Sequence, residues 1–333
     1  MLHLDMINHK DFIDALGLDM PKVDENAPPI NLRNHKRSIY FKCIRGGYKA
    51  QKGLEITDDL RSYFSSNSLN IFGTNNSLEL FPMLEGKIPF HLLRTEADRE
   101  IDISQKFHLR YFEKFKHVAP VPFPVALEVI DEKYQVEFLN ALKNNISTPV
   151  FKRVESLLKS DSLCKLYNFH PEIPLRITDM LSERTLSQLL WNENKEFDVV
   201  EKWLELFSRM LILGFIPATK WSLITGNCLQ PQNLCLYGGF ADLDSLVGVN
   251  DINRKEVLYE SLSYSMLSLT DSIFMALESN NSDSASKLER KWILQNYIFS
   301  EIKNRVLNND TDSNIKQYFE LKESFKTLRF IDK

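Results

Sequence analysis

Apolar residues recur every four positions between Glu96 and Lys116, at Ile103, Phe107, Tyr111 and Phe115. The stretch holds no Gly or Pro, so the spacing predicts a helix of about five turns with one apolar stripe. Phe197–Leu213 repeats the pattern more strongly, with Val200, Trp203, Leu204, Phe207, Met210 and Leu211 on one side. Beyond Arg254 the periodicity is helical throughout, over 257–277, 288–307 and 315–328, with polar linkers between. Shorter runs before the first helix read as strands. These are 68–72, 77–81 and 88–93, separated by the turns Gly73–Asn76 and Glu85–Lys87, and a further strand is predicted over 121–130. Ser38–Ile44 alternates and meets Arg45-Gly46-Gly47, which predicts a hairpin turn. Residues 19–34 are polar, contain three prolines and read as an extended loop. Pro174–Thr178 reads as a short strand, Asp179–Arg184 as a connector, and Thr185 as the N-cap of a helix through Leu190.

Composition narrows the classes. A chain of 333 residues, 43% hydrophobic, can build a sizeable core and two lobes. With 41 basic against 45 acidic residues the net charge is −4, so nothing electrostatic favours nucleic acid or an anionic membrane as partner. The longest apolar stretch, Met210–Ala218, is too short to span a bilayer. Four scattered cysteines (Cys43, Cys164, Cys228, Cys235) predict no disulfide framework, and a reducing, cytoplasmic setting is expected. Seven histidines show no HxH or HExxH spacing, which argues against a metallohydrolase.

The stretch with most chemistry runs from Gly226 to Asp244. It reads as a polar loop, the apolar run Leu234-Cys235-Leu236, a Gly-Gly turn, and Phe240-Ala241-Asp242. That order presents a carboxamide, Asn233, and a carboxylate, Asp242, at the two ends of one hairpin-like unit. Such oxygen donors hold Mg²⁺ against nucleotide phosphates in kinase-type sites. Asn and Asp are also ordinary turn residues, and Cys228 reads as a small buried residue before it reads as a nucleophile.

Taken in order, these pieces resemble a protein-kinase-like fold. Leu175–Leu190 resembles the fifth strand, hinge and next helix. Cys228-Leu-Gln-Pro-Gln-Asn233 resembles the loop written HRDLKPEN in protein kinases and matches its Leu, Pro and Asn. Asp242-Leu-Asp244 falls where DFG would, and the short interval from Asn233 looks most like the selenoprotein O (protein adenylyltransferase) branch. The resemblance implies an α+β, bilobal architecture: a small antiparallel N-lobe sheet with one helix over 68–173, and a mostly helical C-lobe over 174–333, after an N-terminal extension of 67 residues. It implies roles as well. Arg94, ending the third strand, takes the place of the phosphate-binding lysine. Glu113, nineteen positions later, is its expected ion-pair partner, with Glu100 as the fallback. Gly73, Thr74 and Asn75 cover the phosphates, and the backbone of Thr178–Leu181, Met180 included, meets the adenine. Asn233 and Asp242 bind the metal, and Cys228 stands at the catalytic-loop aspartate.

Departures accompany these matches. A thiol at Cys228 replaces the carboxylate that takes a proton from a hydroxyl nucleophile, and a guanidinium at Arg94 is planar and bidentate where an ammonium is a point charge. About nine extra residues, 217–225, precede the loop. The expected function is an ATP- and Mg²⁺-dependent transferase that moves a phosphoryl or adenylyl group to a protein, peptide or small-molecule acceptor. The alternative is a pseudokinase scaffold that binds a nucleotide or only a partner.

Overall fold

A computed structural model describes residues 5–6, 22–30, 38–53, 88, 91–143, 145–180, 195–217, 228–243, 245–277 and 284–322. The molecule is mixed α/β and divides into two compact units. Unit 1 comprises Met1–Asp102 and Phe123–His170; unit 2 comprises Ile103–Pro122 and Pro171–Lys333.

Unit 1 is built on an antiparallel sheet. Its strands are β1 (Asp5–Met6), β2 (Ser38–Lys42), β3 (Tyr48–Lys52), β4 (Leu92–Leu93), β5 (Phe123–Val129) and β6 (Leu163–His170). The order is β1-β5-β6-β3-β2, with β4 paired to the start of β6. β2 and β3 form the hairpin that the alternation and Gly-Gly turn predict, in register Lys42↔Tyr48 to Ser38↔Lys52. With β1, three sheet strands therefore come from the stretch expected to be an extension. From Cys164 onward β6 alternates: Cys164, Leu166, Asn168 and His170 are buried, and Lys165, Tyr167 and Phe169 are half-buried. Helix α1 (Arg94–Phe115) lays Ala97 against Leu92, Leu127, Cys164 and Leu166. Between β5 and β6 run α2 (Glu132–Leu142) and α3 (Thr148–Ser160). Asp131 caps α2 by accepting a hydrogen bond from the Lys133 amide at 2.7 Å, which satisfies one of its orphan donors. Phe138, Val150, Val154 and Leu163 form a second apolar cluster there.

Unit 2 holds the rest of α1, the turn α4 (Ile177–Met180), α5 (Lys195–Ile212), β7 (Phe215–Pro217), β8 (Leu246–Gly248), α6 (Lys255–Leu277), α7 (Ser284–Leu307) and α8 (Ser313–Leu321). β7 and β8 pair antiparallel. α5 buries the stripe read from the sequence: Val200, Trp203, Leu204, Phe207, Met210 and Leu211. α6 buries polar as well as apolar residues, including Ser261, Ser265, Thr270 and Ser272. The hydroxyls of Ser265, Thr270 and Ser272 donate to backbone carbonyls, as burial in an apolar core requires. Among the described residues no helix is long and apolar enough to cross a membrane. Cys43, Cys164, Cys228 and Cys235 are free and buried.

Several expected elements differ. Of the described residues in the predicted strand over 88–93, Leu92–Leu93 join the sheet, and the helix begins directly after them at Arg94. The predicted strand Pro174–Thr178 reduces to a single bridge, Arg176↔Cys235, before the helical turn α4. The predicted strands 68–72 and 77–81 and the helix starting at Thr185 lie outside the described residues.

Candidate functional site

In unit 1 the chemistry gathers on the inner face of the sheet. β3 lies between β2 and β6, and its register sets Ala50 opposite Asn168 and Lys52 opposite Leu166. Period-two alternation puts Ala50 and Lys52 on the same face. Across from them α1 turns Ala97 and Glu100, both buried, at the i,i+3 spacing that aligns residues along a helix. Glu100, only 3% exposed, is held from two strands. Its Oε2 accepts from Lys52 Nζ at 2.5 Å, and its Oε1 accepts from Asn168 Nδ2 at 3.1 Å. The side chains of Lys52 and Glu100 are 12% and 5% exposed. A charge pair this enclosed is costly to desolvate and is sustained only by good geometry and added hydrogen bonds. The nearby Cys164 thiol is pushed up to about 12 by burial, so it is no nucleophile.

In unit 2 the segment Cys228–Leu243 is held from every side by its backbone. Leu234 and Leu236 exchange hydrogen bonds with Ile177 and Leu175, and the Cys235 amide donates to the Gly239 carbonyl. The bridge Leu234↔Phe240 closes the small hairpin. The Ala241 amide donates to the Asn233 carbonyl at 2.7 Å, which sets Asn233 and Asp242 at the same open end of that hairpin. Gly239 is needed for a close approach: a Cβ there would fall 1.9 Å from the Pro120 carbonyl oxygen. Deeper anchors follow. Trp203 Nε1 of α5 donates to the Cys235 carbonyl at 3.0 Å, and Ser272 Oγ of α6 donates to the Leu229 carbonyl at 2.7 Å. The Cys228 amide donates to Ser245 Oγ at 2.9 Å. Asn233 is buried and Asp242 half-buried. Carboxamide and carboxylate oxygens are the donor types that a hard cation such as Mg²⁺ takes. Among the described residues no cluster of three or more His, Cys, Asp or Glu side chains forms a metal-binding group.

The expected residues fall as follows. Arg94 does not end a strand that presents it to phosphate. It opens α1, and its Nε donates to both carboxylate oxygens of Asp98, at 2.8 and 3.0 Å, one helical turn away. Glu113 cannot pair with it, because the two stand nineteen residues apart on one helix, about five turns. Glu113 instead borders a cleft of about 570 Å³ with Arg110, Lys114 and Asp310. Glu100, the fallback, is an ion-pair partner, but of Lys52. Thr178 and Met180, expected to meet the adenine through their backbone, sit in the helical turn α4. Cys228 is fully buried, in line with a packing residue. Gly73, Thr74, Asn75 and Asp244 lie outside the described residues.

Sequence reasoning missed Lys52. In Tyr-Lys-Ala-Gln-Lys, Lys49 and Lys52 are alike as letters, and only the sheet tells them apart. Lys49 lies over the Tyr167 ring, 4.5 Å from its centroid, on the outer face. A weak signal was present in Ala50, a small apolar residue that shares a face with Lys52 ahead of a helix bearing a buried-phase glutamate. No protein-family model matches this chain, and no curated protein matches it.

Proposed function

We propose that this chain has a protein-kinase-like, bilobal fold and binds Mg-ATP for transfer of a phosphoryl or adenylyl group. The observation that carries the reading is the buried Lys52–Glu100 ion pair. In protein kinases a lysine of the third sheet strand pairs with a glutamate of the next helix and contacts the nucleotide phosphates. Here the same residue types stand on β3 and on α1, the next helix among the described residues, with 2.5 Å between Nζ and Oε2. The hairpin of unit 2, taken by itself, carries a pair of oxygen donors. Asn233 and Asp242 fit the two metal-binding positions of that family, an asparagine after the catalytic loop and an aspartate after the following turn. Bound Mg-ATP would supply the activated phosphate.

The chain's own residues divide the remaining work. Glu100 keeps the Lys52 ammonium charged and fixed, and that cation neutralises phosphate oxygens. Asn233 and Asp242 present oxygens to the metal. Cys228 supplies no base: it is buried and a thiol, so catalysis would rest on positioning and charge neutralisation. The acceptor is a protein, a peptide or a small molecule. The full burial of Cys228 also favours a second reading, a scaffold that binds nucleotide without transferring a group.

Thermal-shift titrations test both. ATP with Mg²⁺ is expected to raise the melting temperature by about 2–4 °C at saturation. Asp242→Ala should lose the metal-dependent part of that shift, and Lys52→Met most of the whole. An unchanged shift in both variants removes the site. Transfer assays with ATP labelled at the α or the γ phosphate then separate adenylylation, phosphorylation and the scaffold, which leaves neither label on an acceptor.

A further inference from the structure

Asn168 lies on the inner face of a central strand, where its neighbours are apolar or aromatic. Leu166 and His170 flank it along β6, and Ala50 and Pro124 stand opposite it on the adjoining strands. It is 4% exposed. Its Nδ2 donates to Glu100 Oε1 at 3.1 Å, while its Oδ1 is buried with no hydrogen-bond partner. An amide at such a position is unfavourable compared with leucine unless its one bond has a purpose. That bond goes to the carboxylate whose other oxygen holds Lys52. The amide's orientation follows from it, because turning the group over would set Oδ1 against a carboxylate oxygen.

We infer that Asn168 is a positioning residue that locks the Glu100 carboxylate so that its Oε2 holds the Lys52 ammonium charged and in one place. With Oε1 tied to β6 and Oε2 tied to β3, the carboxylate cannot rotate about its terminal bond without losing both contacts. The ion pair is thereby assembled in advance. In kinases generally the same pair is made and broken as the helix moves; here the sheet itself keeps it closed. The consequence for nucleotide affinity rests on the function proposed above, whereas the effect on Lys52 does not.

Two measurements on the full chain separate these. The first is the rate at which an amine-reactive acylating reagent modifies Lys52, read by mass spectrometry. Lys49, over the Tyr167 ring, and Lys165, 3.5 Å from Glu128, serve as outer-face controls. Asn168→Leu is expected to raise labelling of Lys52 by about tenfold, the worth of a charge-assisted hydrogen bond, and to leave both controls unchanged. Asn168→Ala, which removes the amide with less risk to packing, carries the same expectation. In a Glu100→Gln background either change should add little, because both act through one carboxylate. Unchanged labelling of Lys52, or an equal rise at Lys49 and Lys165, overturns the positioning role. The second measurement is Mg-ATP affinity by calorimetry, expected to fall by a similar factor in Asn168→Leu. If the parent binds no Mg-ATP but the labelling result holds, the nucleotide reading fails and the role of Asn168 stands. If the parent binds and the variants match it in both measurements, the role of Asn168 fails alone.

Discussion

Two cations of unit 1 show how burial decides what a charged residue is worth. Arg94 and Asp98 form a chelated pair at an exposed helix start, with side chains 33% and 51% exposed. Solvent screens such a pair, and i,i+4 pairs contribute a few tenths of a kcal/mol. Lys52 and Glu100 are enclosed, so removing one partner strands the other's charge. Glu100→Gln is therefore expected to cost about 3 kcal/mol in chemical denaturation, and Arg94→Ala less than about 0.5 kcal/mol. Equal losses in the two variants would show that the buried pair is not held as described. The contrast also explains why Arg94 stood out in the sequence and Lys52 did not. A cation directly ahead of a long helical pattern is visible in one dimension. The importance of Lys52 depends on Glu100, forty-eight residues away, and on which face of the sheet its strand presents.

At the scale of the element, β3 ends where it does because Gly53 follows Lys52. Gly53 has φ +85°, in the left-handed region, and a Cβ there would meet the Cys164 carbonyl oxygen at 2.3 Å. Backbone, unlike a side chain, cannot swing away. Gly53→Ala is expected to destabilise the protein by roughly 1–3 kcal/mol and to displace the strand end that carries Lys52. Loss of stability in denaturant together with faster acylation of Lys52 is the expected outcome; a variant with parental stability would contradict the close approach. The same scale shows what the sequence made legible. α1, α5 and α6 to α8 were readable because each keeps one apolar stripe, or an apolar run, for many turns. The β2–β3 hairpin was readable from its alternation and its Gly-Gly turn. β6 was not, because the inner face of Leu163–His170 carries Asn168 and His170 beside Cys164 and Leu166, which blurs the alternation that marks a half-buried strand. The Asn233–Asp242 hairpin was legible as a local unit, since all its parts lie within ten residues. The Lys52–Glu100–Asn168 cluster joins three distant elements, and its one local trace is Ala50 beside Lys52.

For the whole molecule, acid is the informative perturbation, since a net charge of −4 leaves its carboxylates slightly in excess and one histidine is sealed in unit 2. His108, on α1, is 1% exposed and shares a hydrogen bond of 3.0 Å with the Pro122 carbonyl through Nε2. A carbonyl only accepts, so Nε2 carries the proton and the neutral ring satisfies this contact. Burial lowers its pKa to about 4 from the ordinary 6.5, although the carbonyl contact opposes that change. The sign follows from linkage. Above pH 6.5 the ring is neutral in both the folded and the unfolded chain and contributes no pH dependence. As the pH falls from 6.5 towards 4 the unfolded chain takes up a proton that the folded chain refuses, so stability falls with pH across that window. Below it both states are protonated and the loss levels off. The full displacement corresponds to about 3 kcal/mol, at 1.36 kcal/mol per unit. His108→Gln offers an amide N–H to the same carbonyl but does not titrate. It is expected to be somewhat less stable than the parent at pH 7.5 and to lose less between pH 6.5 and 4.5, so that the two stability curves converge. Parallel curves for parent and variant, followed by chemical denaturation at half-unit intervals, would mean that His108 is protonated in the folded protein at ordinary acid pH, and that its surroundings are wetter than a fully buried ring beside a backbone carbonyl allows.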